Sequence, residues 1–231
     1  MRTRFTVLLA ASLSAGCAAT GDRADAPALH ARGNEPAWAL DIDAALRFES
    51  GRLHVAGPAT PLRVDGERRR YAAALRDRAI PVTVEVVAVP GVCRDSMSGM
   101  PHPLRVEVAV DGRRFDGCGG EPAALLRGGE WTVAELAGER VEAAAPTLLF
   151  GEDGRLGGRT SCNAYSATYA LTGETLAVGR AAVTRMACPP PRMAQEARFL
   201  ELLQGVRRFD VADDGSLVLI GDDGRAIRAH R

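Results

Sequence analysis

Two short stretches gather residue types that could do chemistry. The first runs Cys93-Arg94-Asp95-Ser96-Met97-Ser98-Gly99, ends in Pro101-His102-Pro103, and is answered by Gly117-Cys118-Gly119-Gly120. Asp95, Ser96 and His102 are acid, nucleophile and base types, and together they would suit proton or acyl transfer. No strained nucleophile turn of the GxSxG kind accompanies them. A loop bounded by proline and glycine and pinned by cysteines is the simpler reading. The second stretch runs from Arg159 to Tyr165 and resumes at Thr184-Arg185-Met186-Ala187-Cys188. Its candidate binding residues are Asn163, Tyr165, Arg185 and Met186, beside Cys162 and Cys188. Each also has a structural use: Asn163 in a turn, Arg185 paired with a carboxylate, Tyr165 and Met186 in a core. No catalytic residue and no cofactor is expected. His30, His54, His102 and His230 are scattered, and the Asp-Gly pairs lack the alternating acids of a calcium loop, so no metal site is expected either.

The chain has five cysteines. Cys17 belongs to the N-terminal leader discussed below, which leaves Cys93 with Cys118 and Cys162 with Cys188. In an exported protein an even remainder reads as disulfides. Of the three possible pairings the two local ones are preferred, because each then lies inside one half of the chain. Each closes a loop worth roughly 3 kcal/mol in the chain-entropy model. Zinc ligation and a catalytic thiol are the alternatives, and neither has its usual paired spacing here.

The chain starts Met1-Arg2-Thr3-Arg4, followed by an apolar run from Phe5 to Leu13 and then Ser14-Ala15-Gly16-Cys17. A cationic head, a short apolar run and small residues describe a signal peptide over residues 1–16, too short for a membrane span. The residues before Cys17 resemble a bacterial lipobox, although Ser14 stands where leucine is usual. That resemblance implies a lipidated Cys17, a membrane anchor, and a place on the periplasmic face of the outer membrane. A soluble periplasmic protein is the alternative. Residues 17–32 are small, polar or charged and read as a tether.

Twenty-nine basic and 29 acidic residues balance, and every basic residue is arginine. Without a basic stripe or patch, nucleic acid is not an expected partner. Arg68-Arg69-Arg70, the densest run, reads as a solvated turn.

The elements that must hold both stretches are mostly strands. In residues 33–122, period-two alternation marks Trp38–Ile42, Leu46–Phe48, Arg52–Val55, Tyr71–Leu75, Val82–Val89, Leu104–Val110 and Arg113–Phe115. Asp111-Gly112 reads as a tight hairpin turn, and Glu35-Pro36 as a turn or extended start. In residues 128–231 the strands continue, with Asp-Gly turns at 153–154, 214–215 and 223–224. A single helix over residues 193–205 follows Pro189-Pro190-Pro191 and stops at Gly205. Gln195 and Glu196 fall in its first turn, and Met193, Ala197, Leu200 and Leu203, flanked by Phe199, Leu202 and Val206, define a broad apolar face. The expected fold is mainly β (α+β): two small domains of antiparallel sheet, the C-terminal one curled, partly open and packed on that helix.

Gly33-Asn34-Glu35-Pro36, Trp38, the Cys93–Gly99 motif and Gly117–Gly120 resemble an N-terminal module of bacterial envelope lipoproteins. In the second half, Trp131, Thr147–Phe150, Asp153-Gly154-Arg155, Gly158, Cys162–Tyr165, Tyr169, Thr184–Cys188, Met193–Glu196, Phe199-Leu200 and Asp223-Gly224 resemble a META (HslJ-type) domain. Ser161 departs from the glycine frequent there. The resemblance implies a small envelope domain associated with heat shock and drug tolerance, without an established enzymatic activity. The function expected is therefore a non-catalytic envelope lipoprotein that binds an apolar small molecule or an envelope protein. An inhibitor or assembly-pilot module is the alternative, and a hydrolase or thiol enzyme the third reading.

Overall fold

The computed structural model describes residues 28–58, 63–77, 80–142 and 144–231. The leader, Cys17 and most of the tether lie outside the described residues. The fold is mainly β, in two antiparallel sheets with separate cores.

The first sheet contains β1 (Leu29–Asn34), β2 (Ala37–Ile42), β3 (Ala45–Ser50), β4 (Leu53–Pro58), β5 (Arg63–Asp65), β6 (Arg68–Asp77), β7 (Ile80–Arg94), β8 (Pro101–Val110) and β9 (Arg113–Gly119). Its order is β4-β3-β2-β1-β9-β8-β7-β6-β5, and β4 also pairs with β6 at Ala56 and Arg76. Apart from β5, which forms a hairpin on β6, the strands therefore close into an up-and-down barrel, leaving few free edges. Alternation decides the inside. Val82, Val84, Val86 and Ala88 of β7 are buried while Thr83 and Glu85 face out. The interior is filled with side chains. Phe48 meets Phe115 edge-on at 5.1 Å and lies 6.0 Å from Trp38.

The Gly33…Trp38 and Gly117 motifs meet at one end of this barrel. The Trp38 indole donates from Nε1 to the Asp116 carbonyl at 3.1 Å. A Cβ on Gly33 would stand 2.2 Å from that nitrogen, and one on Gly117 would stand 2.1 Å from the Arg32 carbonyl oxygen. Only glycine lets the ring and the backbones come this close. Between Gly33 and Trp38 the chain turns through a cis Glu35–Pro36 bond.

Two expectations for this half need correction. Strand β1 begins at Leu29, with Leu29 and Ala31 in the core, so the last residues assigned to the tether are a barrel stave. Arg68-Arg69-Arg70 is the start of β6 rather than a turn, and the chain reverses before it at Gly66, whose φ is 61°.

A short helix α1 (Ala123–Leu126), which sequence periodicity did not reveal, leads into the second sheet. That sheet comprises β10 (Trp131–Leu136), β11 (Glu139–Arg140), β12 (Thr147–Phe150), β13 (Arg155–Arg159), β14 (Ala164–Leu171), β15 (Leu176–Val178) and β16 (Ala182–Val183). After α2 (Pro190–Gly205) come β17 (Val206–Val211), β18 (Leu217–Gly221) and β19 (Ala226–His230). The order is β15-β14-β13-β12-β10-β19-β18-β17, with β11 on β10 and β16 on β14. No ladder joins β15 to β17, so the curl stays partly open there. Across that gap Gln204 of α2 donates to the Val178 carbonyl at 2.9 Å.

Helix α2 starts earlier than expected, because prolines are tolerated in a first turn whose N–H groups have no intrahelical partner. Pro190 and Pro191 occupy that turn, so Gln195 and Glu196 sit beyond it. The buried face is also narrower than expected. Phe199, Leu202 and Leu203 are buried, whereas Met193 and Ala197 are exposed. Only the C-terminal half of α2 penetrates the curl, which leaves its first half free for polar work.

Candidate functional site

The outward face of the barrel carries the more promising site. Register places Arg32 beside Cys118, Cys118 beside Arg105, and Arg105 beside Val89. One step beyond the Arg69–Ala88 pair, Arg68 faces Val89. Arg32, Cys118, Arg105, Val89 and Arg68 thus form one row across five strands. A second row holds Asp116, Glu107, Val87 and Arg70.

Over these rows passes an arch. The β7–β8 ladder shifts register between Pro90 and Cys93, and Cys93 is bonded to Cys118 with a Cα–Cα distance of 5.4 Å. Beyond the bridge the chain turns tightly, with the Asp95 amide bonded to the Met100 carbonyl and the Gly99 amide to the Asp95 carbonyl. Asp95 Oδ1 accepts from the amides of Met97 and Ser98 and from the Ser98 hydroxyl. Its other oxygen accepts from Asn34 Nδ2 at 2.9 Å, and the same nitrogen reaches Ser96 Oγ. Asn34, at the tip of the β1–β2 hairpin, therefore anchors the far end of the arch. Burial alone would raise the Asp95 pKa, but these donors overcome it and hold the carboxyl at about 2.

Between arch and sheet lies a cleft of about 550 Å3, with Arg32, Arg68, Arg105, Val87 and Val89 on its floor and Asp95 and Ser96 in its wall. This volume is in the range of small-molecule sites. Val87 and Val89 are half-buried, while Thr83 and Glu85, further along the same outward face, are exposed.

The arch also joins the two sheets. Arg94 Nε sits 3.0 Å from both carboxylate oxygens of Asp210 on β17, and its Nη2 donates to the Val211 carbonyl at 2.9 Å. Met100, 4% exposed, belongs to the core of the second sheet. The motif is thus a pinned loop, as expected, but it serves as wall and inter-sheet clamp at once. His102 lies opposite Cys93, yet its ring is bonded to the Gly120 carbonyl at 2.9 Å and does not line the cleft. Asp95 and Ser96 are gathered there, and His102 is not. Among the described residues no Ser–His–Asp relay links the three.

The second stretch folds into a polar knot. Cys162 is bonded to Cys188. Asn163, 5% exposed, donates from Nδ2 to Glu196 Oε1 at 3.0 Å and Oε2 at 3.2 Å. Its Oδ1 accepts from the Thr184 hydroxyl at 2.8 Å and from the Met186 amide at 2.7 Å. The Asn163 amide bonds to Thr160 Oγ1 and Glu196 Oε2, and the Thr160 hydroxyl reaches the same carboxylate. Tyr165 donates to the Thr147 carbonyl and packs edge-on against Phe199 at 5.5 Å, and burial, aided by Glu130, pushes its pKa up. Two expectations fail here. Met186 is 59% exposed instead of filling the core. Arg185 is exposed and finds no carboxylate among the described residues.

Glu196 was missed as the centre of this knot. A buried asparagine needs partners for two donors and an acceptor, so Asn163 demanded one, but nothing marked a residue on a helix 33 positions later. Asn34 was missed for the same reason. Arg105 stands on a readable strand, whereas Arg32 was assigned to the tether and Arg68 to a turn, and only the register brings the three into one row.

Residues 124–231 match the family model described as META domain. No curated protein matches the chain. Among solved structures, an NMR structure of a protein from Burkholderia xenovorans is 28% identical, with a TM-score of 0.39, covering 48% of this chain and 88% of the other. A second NMR structure is 22% identical, also at a TM-score of 0.39, and covers 48% of this chain and 93% of its own. From the second residue of α1 to Arg231, just under half of the chain, the C-terminal part is thus similar to the META domain family.

Proposed function

We propose that this is a non-catalytic envelope lipoprotein that supports outer-membrane integrity or drug tolerance by binding a ligand in the cleft under the Cys93–Cys118 arch. The cleft carries the reading: about 550 Å3, floored by arginines and valines, and walled by a loop whose polar groups are already engaged with one another. Asp95 has its oxygens filled by donors, which suits a wall more than a reacting group. The lipobox-like Ser14–Cys17 supplies the anchor, and the META domain supplies the association with stress. Deleting the gene is expected to sensitise cells to apolar antibiotics and envelope stress, and the mature protein is expected to carry acyl mass on Cys17. An unchanged susceptibility profile contradicts this reading.

One observation favours the second reading, an inhibitor or assembly-pilot module. Met97 on the arch is 83% exposed, as a contact residue for an envelope protein would be. Photo-crosslinking from position 97 in intact cells separates the readings, since a stoichiometric protein adduct favours the second.

A further inference from the structure

The charges around the cleft are unevenly satisfied. On the β1–β9 side, Arg32 has Glu35 and Asp116 near it as cleft-lining acids. On the β6–β8 side the cleft-lining acids are spent: Asp95 is held by the arch, and Glu107 pairs with Arg114 at 3.1 Å, while Asp65 of β5 stands opposite Arg68 in the ladder without an ion pair to it. The cations there are not spent. The Arg68 side chain makes no hydrogen bond or ion pair among the described residues. Arg105 uses Nε and Nη2 on the Val92 carbonyl, at 3.3 and 3.2 Å, which fixes its guanidinium against the arch. A guanidinium has five N–H donors, so the remaining ones stay available.

Arg105 and Arg68 are two strands apart in one row, which puts their backbones about 10 Å from each other. Between them in that row stands the half-buried Val89, with Val87 beside it in the next. Two open cations flanking an apolar step, under a roof, make a pattern with its own complement.

We propose that the cleft takes a small organic dianion whose two anionic groups, carboxylates or phosphates, are held by Arg105 and Arg68 while its middle lies on Val89. The proposal rests on the reading of the cleft as the binding site and adds the chemistry of the ligand. The bridge enters it too, because Cys93–Cys118 holds Val92, and Val92 holds Arg105. A longer polyanion would have to pass Asp116 and Glu35, which repel it, so the ligand is confined to the β6–β8 half.

The test is calorimetric titration of the full mature protein, both bridges intact, at low salt. Suberate places two carboxylates at about this spacing across methylenes, and fructose 1,6-bisphosphate offers two phosphates across a polar ring. Succinate is too short, and octanoate has one charge. The expected result is one site per chain for suberate or the bisphosphate, with octanoate and succinate weaker by about fivefold, the upper end of what the loss of a partly shielded ion pair implies. Which of the two dianions binds better identifies carboxylate or phosphate as the natural group. Arg68→Ala, which leaves the arch untouched, is expected to reduce the dianion to the affinity of octanoate, and Arg105→Ala to do the same. Arg155→Ala, on β13 of the second sheet, is expected to change nothing. Equal binding of mono- and dianions, no binding of any of them, or full affinity in Arg68→Ala overturns the proposal. Filling the cleft with Val89→Trp distinguishes the levels. If no dianion binds but Val89→Trp still abolishes protection in cells, the site stands and only its ligand chemistry is wrong.

Discussion

Replacing Asn163 by alanine tests whether the second stretch is a structural knot. The side chain gives two hydrogen bonds to the Glu196 carboxylate and accepts two, from the Thr184 hydroxyl and the Met186 amide. A neutral bond contributes about 1 kcal/mol net, bonds to a charge about 1.5–3, and a buried group left unpaired costs its desolvation. The amide of Met186 loses its acceptor, and the carboxylate keeps only the Asn163 backbone amide and the Thr160 hydroxyl. Counting the Nδ2 contact shared between the two carboxylate oxygens as one bond, the sum is a loss of about 3.5–5 kcal/mol, a large share of a typical domain's 5–15. Glu196→Ala should cost a similar amount. Because the two share bonds, the double variant should lose less than the sum, by about 1–2 kcal/mol. Urea unfolding under non-reducing conditions measures this. Trp131 reports on the META sheet, and a Trp38→Phe background silences the barrel. If each single variant loses under about 1 kcal/mol and the losses add, the knot is not structural, and Asn163 returns as a candidate ligand contact.

Asp95 gives a pH prediction. Its folded pKa, about 2, lies below the ordinary 3.8, so its stabilisation is present above the unfolded value and is lost as pH falls through the folded one. Between about pH 5 and pH 2 the wild type should lose about 1–2 kcal/mol, after discounting for solvent, that Asp95→Asn does not lose. Urea titrations of both proteins across that window check it. Met100→Ala empties a buried site between the sheets and should cost about 2–4 kcal/mol. Calorimetry should also show the two sheets melting further apart, since Arg94–Asp210 is then the main tie on that face. A single unshifted transition contradicts the clamp.

The strands were readable because alternation in Val82–Val89 or Leu104–Val110 writes burial directly into the sequence. Register is not written there. Arg32, Arg105 and Arg68 are ordinary exposed arginines until four ladders align them. β1 stayed hidden because Leu29-His30-Ala31-Arg32 is short and follows a polar tether, though its alternation is real. The helix was found, but its apolar face was drawn too wide. Met193 has the right spacing, yet the curl admits only the turn around Phe199, Leu202 and Leu203. The cysteines gave the staples, and what each staple holds came from partners far along the chain: Asn34 for Asp95, Glu196 for Asn163.

The central claim is that function resides under the Cys93–Cys118 arch and that the Cys162–Cys188 knot is structural. Complementation of a deletion strain by two variants compares them directly, each first verified to be folded, to be exported and to have both bridges. Val89→Trp fills the cleft; Arg185→Ala with Met186→Ala strips the exposed side chains beside the second bridge. Loss of antibiotic tolerance with the first and full restoration with the second is the expected result. Full restoration by Val89→Trp, with loss in the Arg185/Met186 variant, would contradict it.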